Sequence, residues 1–221
     1  MIKICCISSI DEAIRAINSG VEAIGLVGPM PSGPGVIDNV SIRQIVQEVT
    51  SQIDTFLLTS ELSAEKIVEH HSKTGTSTIQ LVDRVDIEVY GVLRKELPGV
   101  NLVQVIHVLN DQDIGYARTI APFVDRILLD SGNPNLKVKV LGGTGMTHDW
   151  SISKALVQGV NVPVLLAGGL RAKNVEEAIH TVKPAGVDIC SGVRRNGHLD
   201  DDKLARFVAK AKKALNSLSS S

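Results

Sequence analysis

The sequence has few of the features that mark nucleic-acid or membrane partners. Phe, Trp and Tyr together supply only six of its 221 residues, and the formal net charge is -1. With few stacking rings and no clustered basic run, a nucleic-acid surface built from charge and aromatics is disfavoured. No apolar run approaches the ~18 residues of a membrane span. The first residues carry one Lys and a short apolar run before Asp11 and Glu12, which is not a full signal-peptide layout. Cysteine is scarce: Cys5, Cys6 and Cys190 cannot all pair. Neighbours on one strand point to opposite faces, so Cys5 and Cys6 are poor disulfide partners. A reducing cytoplasm is the expected location. Also missing are the Gly-x-Gly-x-x-Gly dinucleotide fingerprint, a Walker loop and a zinc-type Cys/His spacing.

What is present is aliphatic. Hydrophobic residues make up 43% of the chain, mostly Ile, Val and Leu, and charged residues 21%. That composition suits a folded core and strands buried on both faces. Eight strands of about 5 residues and eight helices of about 11 require roughly 128 residues. Fifteen connections of about 4–6 residues add roughly 60–90, giving about 190–220 in all. The length therefore matches a single eight-stranded parallel (β/α)8 barrel, a TIM barrel, with a doubly wound open sheet as the structural alternative.

The pattern along the chain supplies those units. Strands are expected at residues 2–7, 23–27, 54–59, 78–82, 101–108, 124–130, 162–167 and 187–190. Ser9 and Glu12 have capping-box spacing, as do Ser41 and Gln44, and each pair opens a helical pattern. Residues 28–35 hold three prolines and three glycines and read as a loop. Residues 1–216 form the expected barrel, and 217–221 a frayed, disordered tail. His70 and His71 read as a solvated helix face, Arg194 and Arg195 as surface charge, and Trp150 as packing at a helix start.

In such a barrel chemistry sits at the C-terminal strand ends and in the loops after them. Those positions hold Cys5-Cys6, Asp130-Ser131, Gly142-Gly143-Thr144-Gly145, Gly168-Gly169 and Ser191-Gly192. Glycine loops let backbone N–H groups approach an anion, and barrels often bind phosphate after strands seven and eight. Each glycine alone is more often a turn residue, but three such loops at one end favour a phosphate site. Asp130 ends the run Arg126-Ile127-Leu128-Leu129, so partial desolvation would raise its pKa and suit it to donate a proton. A loop-capping aspartate is the other reading. The long stretch 131–149 is the kind of loop that carries function. Only one of Cys5 and Cys6 is expected to face the lumen, the other packing under a helix.

These residues resemble the phosphoribosylanthranilate isomerase family. The motifs are Lys3-Ile4-Cys5, Leu128-Leu129-Asp130-Ser131, Gly142-Gly143-Thr144-Gly145 with Asp149-Trp150, and Ala167-Gly168-Gly169-Leu170 with Asn174-Val175. Gly186-Val187-Asp188 and Ser191-Gly192-Val193 complete a set that runs in family order over nearly the whole chain. The resemblance implies a cofactor-free Amadori rearrangement in tryptophan biosynthesis, acting on N-(5-phosphoribosyl)anthranilate. It implies that Cys5 is the general base and Asp130 the general acid. Gly143, Gly145, Gly168, Gly169, Ser191 and Gly192 would hold the substrate phosphate. No metal is implied, the partner is a small phosphorylated sugar, and monomer and homodimer both stay open.

The departures fall on the anthranilate side. The family's arginine after strand two, in a Ser-Pro-Arg context, has no counterpart in residues 31–36, and no Arg or Lys occurs between Arg15 and Arg43. The family's Gln-Leu-His-Gly reads Gln80-Leu81-Val82-Asp83. Met146 replaces a lysine, His148 an aromatic hydrocarbon, and Cys6 a glycine. A buried carboxylate left without its cation is costly. Either Arg84, Arg171 or Arg194 takes that role, or the substrate lacks the carboxylate. An isomerase for another phosphorylated aminoaldose and a non-catalytic sugar-phosphate binder are the alternatives.

Overall fold

The computed structural model describes residues 1–31, 33–49, 52–131 and 149–219. Eight parallel strands close into a barrel in sequence order: β1 (Ile2–Ile4), β2 (Ala23–Val27), β3 (Asp54–Thr59), β4 (Thr78–Leu81), β5 (Asn101–His107), β6 (Arg126–Asp130), β7 (Val164–Leu166) and β8 (Gly186–Ile189). Closure is made by β1 lying between β2 and β8, with Lys3 opposite both Ala23 and Asp188. The helices that alternate with them are α1 (Ile10–Asn18), α2 (Asn39–Val49), α3 (Ala64–Thr74), α4 (Ile87–Glu96), α5 (Gln112–Ile120), α6 (Trp150–Gly159), α7 (Val175–Val182) and α8 (Asp201–Ser219). This is the expected (β/α)8 architecture. Among the described residues no helix is long and apolar enough to cross a membrane.

The period-2 alternation of each strand divides the core in two. One set, including Ile4, Ile24, Leu57, Ile79, Ile106 and Leu129, packs outward against the helices. The other, Cys5, Ala23, Val27, Phe56, Leu58, Val82, Val103, Val105, Leu128, Leu165 and Ala167, fills the lumen. Both faces are apolar, which is why the strands read as near-continuous hydrophobic runs.

Helix starts follow local chemistry. The Ser9 hydroxyl accepts from Glu12 N at 3.1 Å, as its spacing predicts, while the Glu12 carboxylate turns back to Ser8 N. The second expected capping box is corrected: Asp38 Oδ1 accepts from Ser41 N at 2.7 Å, so α2 begins three residues earlier than a Ser41 cap would place it. α8 continues through Ser219, past the expected barrel boundary at residue 216. Residues 220–221 of the expected tail lie outside the described residues.

Between β8 and α8 lies a small hairpin, β9 (Arg194–Arg195) and β10 (His198–Leu199), absent from the sequence reading. Its turn is Asn196-Gly197, both with positive φ, at 52° and 84°. That pair is the signature of a two-residue hairpin turn.

Candidate active site

The cavity at the C-terminal strand ends is lined by Cys5, Cys6, Gln80, Asp130, Gly168, Gly169, Asp188, Cys190 and Ser191, with an apolar wall that includes Val27, Met30, Pro34, Leu58 and Val82. Cys5 and Asp130 therefore share one cavity, along with Gly168, Gly169 and Ser191. Gly192 does not line it. Its role is close approach, since a Cβ there would drive into the Leu170 carbonyl oxygen and push the loops after β7 and β8 apart. Gly168 and Gly169 have φ of 84° and 63°, and a Cβ on Gly168 would sit 2.7 Å from Ser131 Oγ. Asn174 braces this loop, donating from Nδ2 to Gly169 O at 3.1 Å and accepting from Arg171 N at 2.7 Å. Gly143 and Gly145, with Thr144, Met146 and His148, lie outside the described residues.

Asp130 ends β6 with its carboxylate accepting from Ser131 N at 2.7 Å. Burial raises its pKa above the ordinary carboxylate value, and the Asp188 charge pushes in the same direction. The Ser131 bond, His107 and Lys3 pull against it. The desolvation inferred from the apolar run before it is thus present.

Lys3, Asp188 and His107 carry the polar floor, and none was given a role from sequence. Lys3 is 0% exposed, its Nζ 3.0 Å from Asp188 Oδ2 and 5.2 Å from the Phe56 ring centre. Burial works against the Lys3 charge, but Asp188 more than restores it and the lysine pKa is raised. Burial likewise pushes Asp188 up while Lys3 holds it back. Gly25 makes room for this group: a Cβ there would lie 3.0 Å from both Cys5 Sγ and Lys3 Nζ. His107 faces Asp130 across β5 and β6 and donates from Nε2 to Val82 O at 3.0 Å. Its Nδ1, with Thr78 Oγ1, Gln80 Oε1 and Asp188 Oδ1, has no hydrogen-bond partner among the described residues. Leaving such atoms unmatched costs about 1–3 kcal/mol each, and they concentrate where ligands bind. The signal for Lys3 and Asp188 was a charge at an inward position of an otherwise aliphatic strand.

Several expectations change here. Cys6 does not pack under a helix. β1 stops at Ile4, and Cys6 adopts a left-handed φ of 63°, which turns it into the same cavity as Cys5. Arg194 is not surface charge. Its guanidinium reaches Glu12 at 2.9 and 3.1 Å and also donates to the Cys6 carbonyl. His70 is buried, with Nδ1 2.9 Å from Thr59 Oγ1 and Nε2 3.0 Å from Asn39 Oδ1, and it ties α3 to β3 and α2. Trp150 packs against the core at the start of α6, as expected. No cation among the described residues lines the cavity. Arg84 pairs with Asp113 at 2.6 Å and lies over the Tyr116 ring, and neither Arg171 nor Arg194 is a lining residue.

Fold and site together define a (β/α)8-barrel enzyme with its titratable groups at the catalytic end of the strands. The family model for N-(5'-phosphoribosyl)anthranilate isomerase matches residues 2–210. N-(5'-phosphoribosyl)anthranilate isomerase 2 of Methanosarcina mazei is 37% identical over 213 residues, covering 96% of this chain and 93% of that protein. The crystal structure of phosphoribosyl anthranilate isomerase from Thermotoga maritima is 30% identical with a TM-score of 0.81, covering 96% of this chain and 98% of that one. A further structure of the isomerase is a complex with reduced 1-(o-carboxyphenylamino)-1-deoxyribulose 5-phosphate. It is 28% identical with a TM-score of 0.78 and covers 96% of this chain and 98% of that one. The chain belongs to the N-(5'-phosphoribosyl)anthranilate isomerase family.

Proposed function

We propose that this chain isomerises N-(5'-phosphoribosyl)anthranilate to the corresponding 1-deoxyribulose phosphate, the aldose–ketose step of tryptophan biosynthesis, with Asp130 as acid and Cys5 as base. The observation that carries the reading is that one cavity holds both groups, from strands on different sides of the barrel. Asp130 gives a proton to the ribose ring oxygen, and the C1′–O bond breaks as the nitrogen lone pair forms an iminium. Cys5 then takes the C2′ proton, and the freed electron pair forms the enolamine, which tautomerises to the aminoketose. The raised pKa of Asp130 favours the protonated form that the first step needs. Beneath the cavity Lys3 is paired with Asp188, so the floor carries an ion pair and no net charge.

Gly168, Gly169 and Ser191 support a phosphate site, because their backbone approaches the cavity without side-chain obstruction from the glycines. Gly192 supports it indirectly by keeping the two loops together. Gly143 and Gly145 are proposed for the same anion on the strength of their motif. The test is to generate N-(5'-phosphoribosyl)anthranilate in situ and follow loss of its fluorescence. Turnover inhibited competitively by the reduced product analogue is expected. Absence of turnover at any enzyme concentration would refute the assignment.

A further inference from the structure

All three cysteines of the chain meet at the mouth of the barrel. The β1–β8 register pairs Ile4 with Ile189, and Cys5 N donates to Ile189 O at 2.8 Å, so Cys5 and Cys190 follow as neighbours at the ends of adjacent strands. The left-handed turn at Cys6 then swings its side chain back beside them, and all three line the cavity. Cys5 and Cys6 belong to the buried lumen cluster, and the partly exposed Cys190 packs against it. Strand spacing of about 4.7–4.9 Å sets Cys5 opposite Cys190, and the left-handed turn at Cys6 brings its thiol against Cys190 as well. Among the described residues no group of three or more His, Cys, Asp or Glu is placed to hold a metal ion, so this is not a metal-ligand set.

The three sulfurs are not equivalent. The Cys6 thiol lies against Cys190 and holds the Cys190 pKa below the ordinary thiol value. Burial and Asp188 oppose this, and the Arg194 guanidinium assists. The contact with Cys190, the contact with Cys5 and burial push Cys6 well up. Cys190 is thus the thiolate-forming and more exposed member, and Cys6 the protonated thiol held against it. That is the arrangement of an attacking and a resolving cysteine.

We propose that Cys6 and Cys190 form a modification site, a thiol pair that a hydroperoxide oxidises to a disulfide. The Cys190 thiolate attacks the peroxide, forming an S–O bond as the O–O bond breaks. The departing hydroxide takes up a proton and leaves as water. The Cys6 sulfur then displaces hydroxide from the sulfenic acid, forming the S–S bond and breaking S–O. The Cys6 proton goes to that hydroxide, so two thiols and one hydrogen peroxide give one disulfide and two waters. Cys5 stays reduced in this sequence. The disulfide fixes Cys6 and Cys190 across the cavity mouth and withdraws the Cys6 thiol from Cys5, so activity falls until a dithiol reductant restores it.

The test treats the native protein with hydrogen peroxide, blocks remaining thiols, and digests it with trypsin without reduction. Peptide mass spectrometry should find residues 4–15 linked to residues 174–194, with the mass loss of two hydrogens. Fragmentation should place the link on Cys6 and the block on Cys5. Cys190→Ser and Cys6→Gly, the latter suited to the positive φ, should give no link and keep their own untreated rate after peroxide. A link through Cys5, sulfinic acid on Cys190 without any link, or unchanged free thiols would overturn the proposal. The mass readout decides this whether or not the isomerase assignment holds.

Discussion

Lys3 Nζ and Asp188 Oδ2 lie 3.0 Å apart inside the barrel, opposite one another on β1 and β8. Asp188 lines the cavity together with Asp130, and Lys3 is fully buried beneath it.

Breaking that pair by removing one partner leaves a buried, uncompensated charge. Lys3→Met should therefore destabilise the fold by about 3–5 kcal/mol, measured by urea unfolding. Replacing both, as in Lys3→Met with Asp188→Leu, should recover much of that stability without restoring activity. Equal destabilisation by the single and double variants would show that packing, not charge, sets the cost.

The glycine loops are tested by adding one methyl group. Gly168→Ala forces a Cβ into a positive-φ backbone and against Ser131. Losing a hydrogen bond to a charged phosphate costs about 1.5–3 kcal/mol, so KM should rise about 10–100-fold. Inhibition by inorganic phosphate should weaken in parallel. A fall in kcat with KM and phosphate inhibition unchanged would place the phosphate elsewhere.

His70 gives the fold a pH dependence. Burial lowers its pKa, with Lys73 and His71 adding to the effect and Glu61 opposing it. The unfolded chain takes up a proton near pH 6.5, whereas the folded ring resists until lower pH. Stability from this site is therefore whole above about 6.5 and falls as pH drops below it. The melting temperature should fall more between pH 7.5 and 5.5 in the wild type than in His70→Gln. Identical pH dependence in the two proteins would contradict this.

The fold was legible because aliphatic runs and helical periods alternate eight times, and the barrel needs little else. The strand-end rule also places Cys5, Asp130, Gly168, Gly169 and Ser191 at one end from the sequence alone. What sequence spacing could not show was backbone handedness at Cys6, since strand alternation assumes a strand that stops at Ile4. Nor could it show ion pairs between distant elements. Glu12 and Arg194 are far apart in the chain, so Arg194 passed for surface charge. His70 was misread because two adjacent histidines on a helix point to different sides, and only His70 faces Thr59 and Asn39. The Asn196-Gly197 hairpin had a local signal, but the arginine pair drew attention to charge instead.

The central claim is that Cys5 and Asp130 divide the proton transfers between them. It is tested most directly by kcat/KM for N-(5'-phosphoribosyl)anthranilate in wild type, Cys5→Ser and Asp130→Asn, with binding of the reduced product analogue measured alongside. Each substitution should lower kcat/KM by about 10²–10⁴-fold while the analogue still binds. Wild-type turnover no faster than that of either variant would contradict the account.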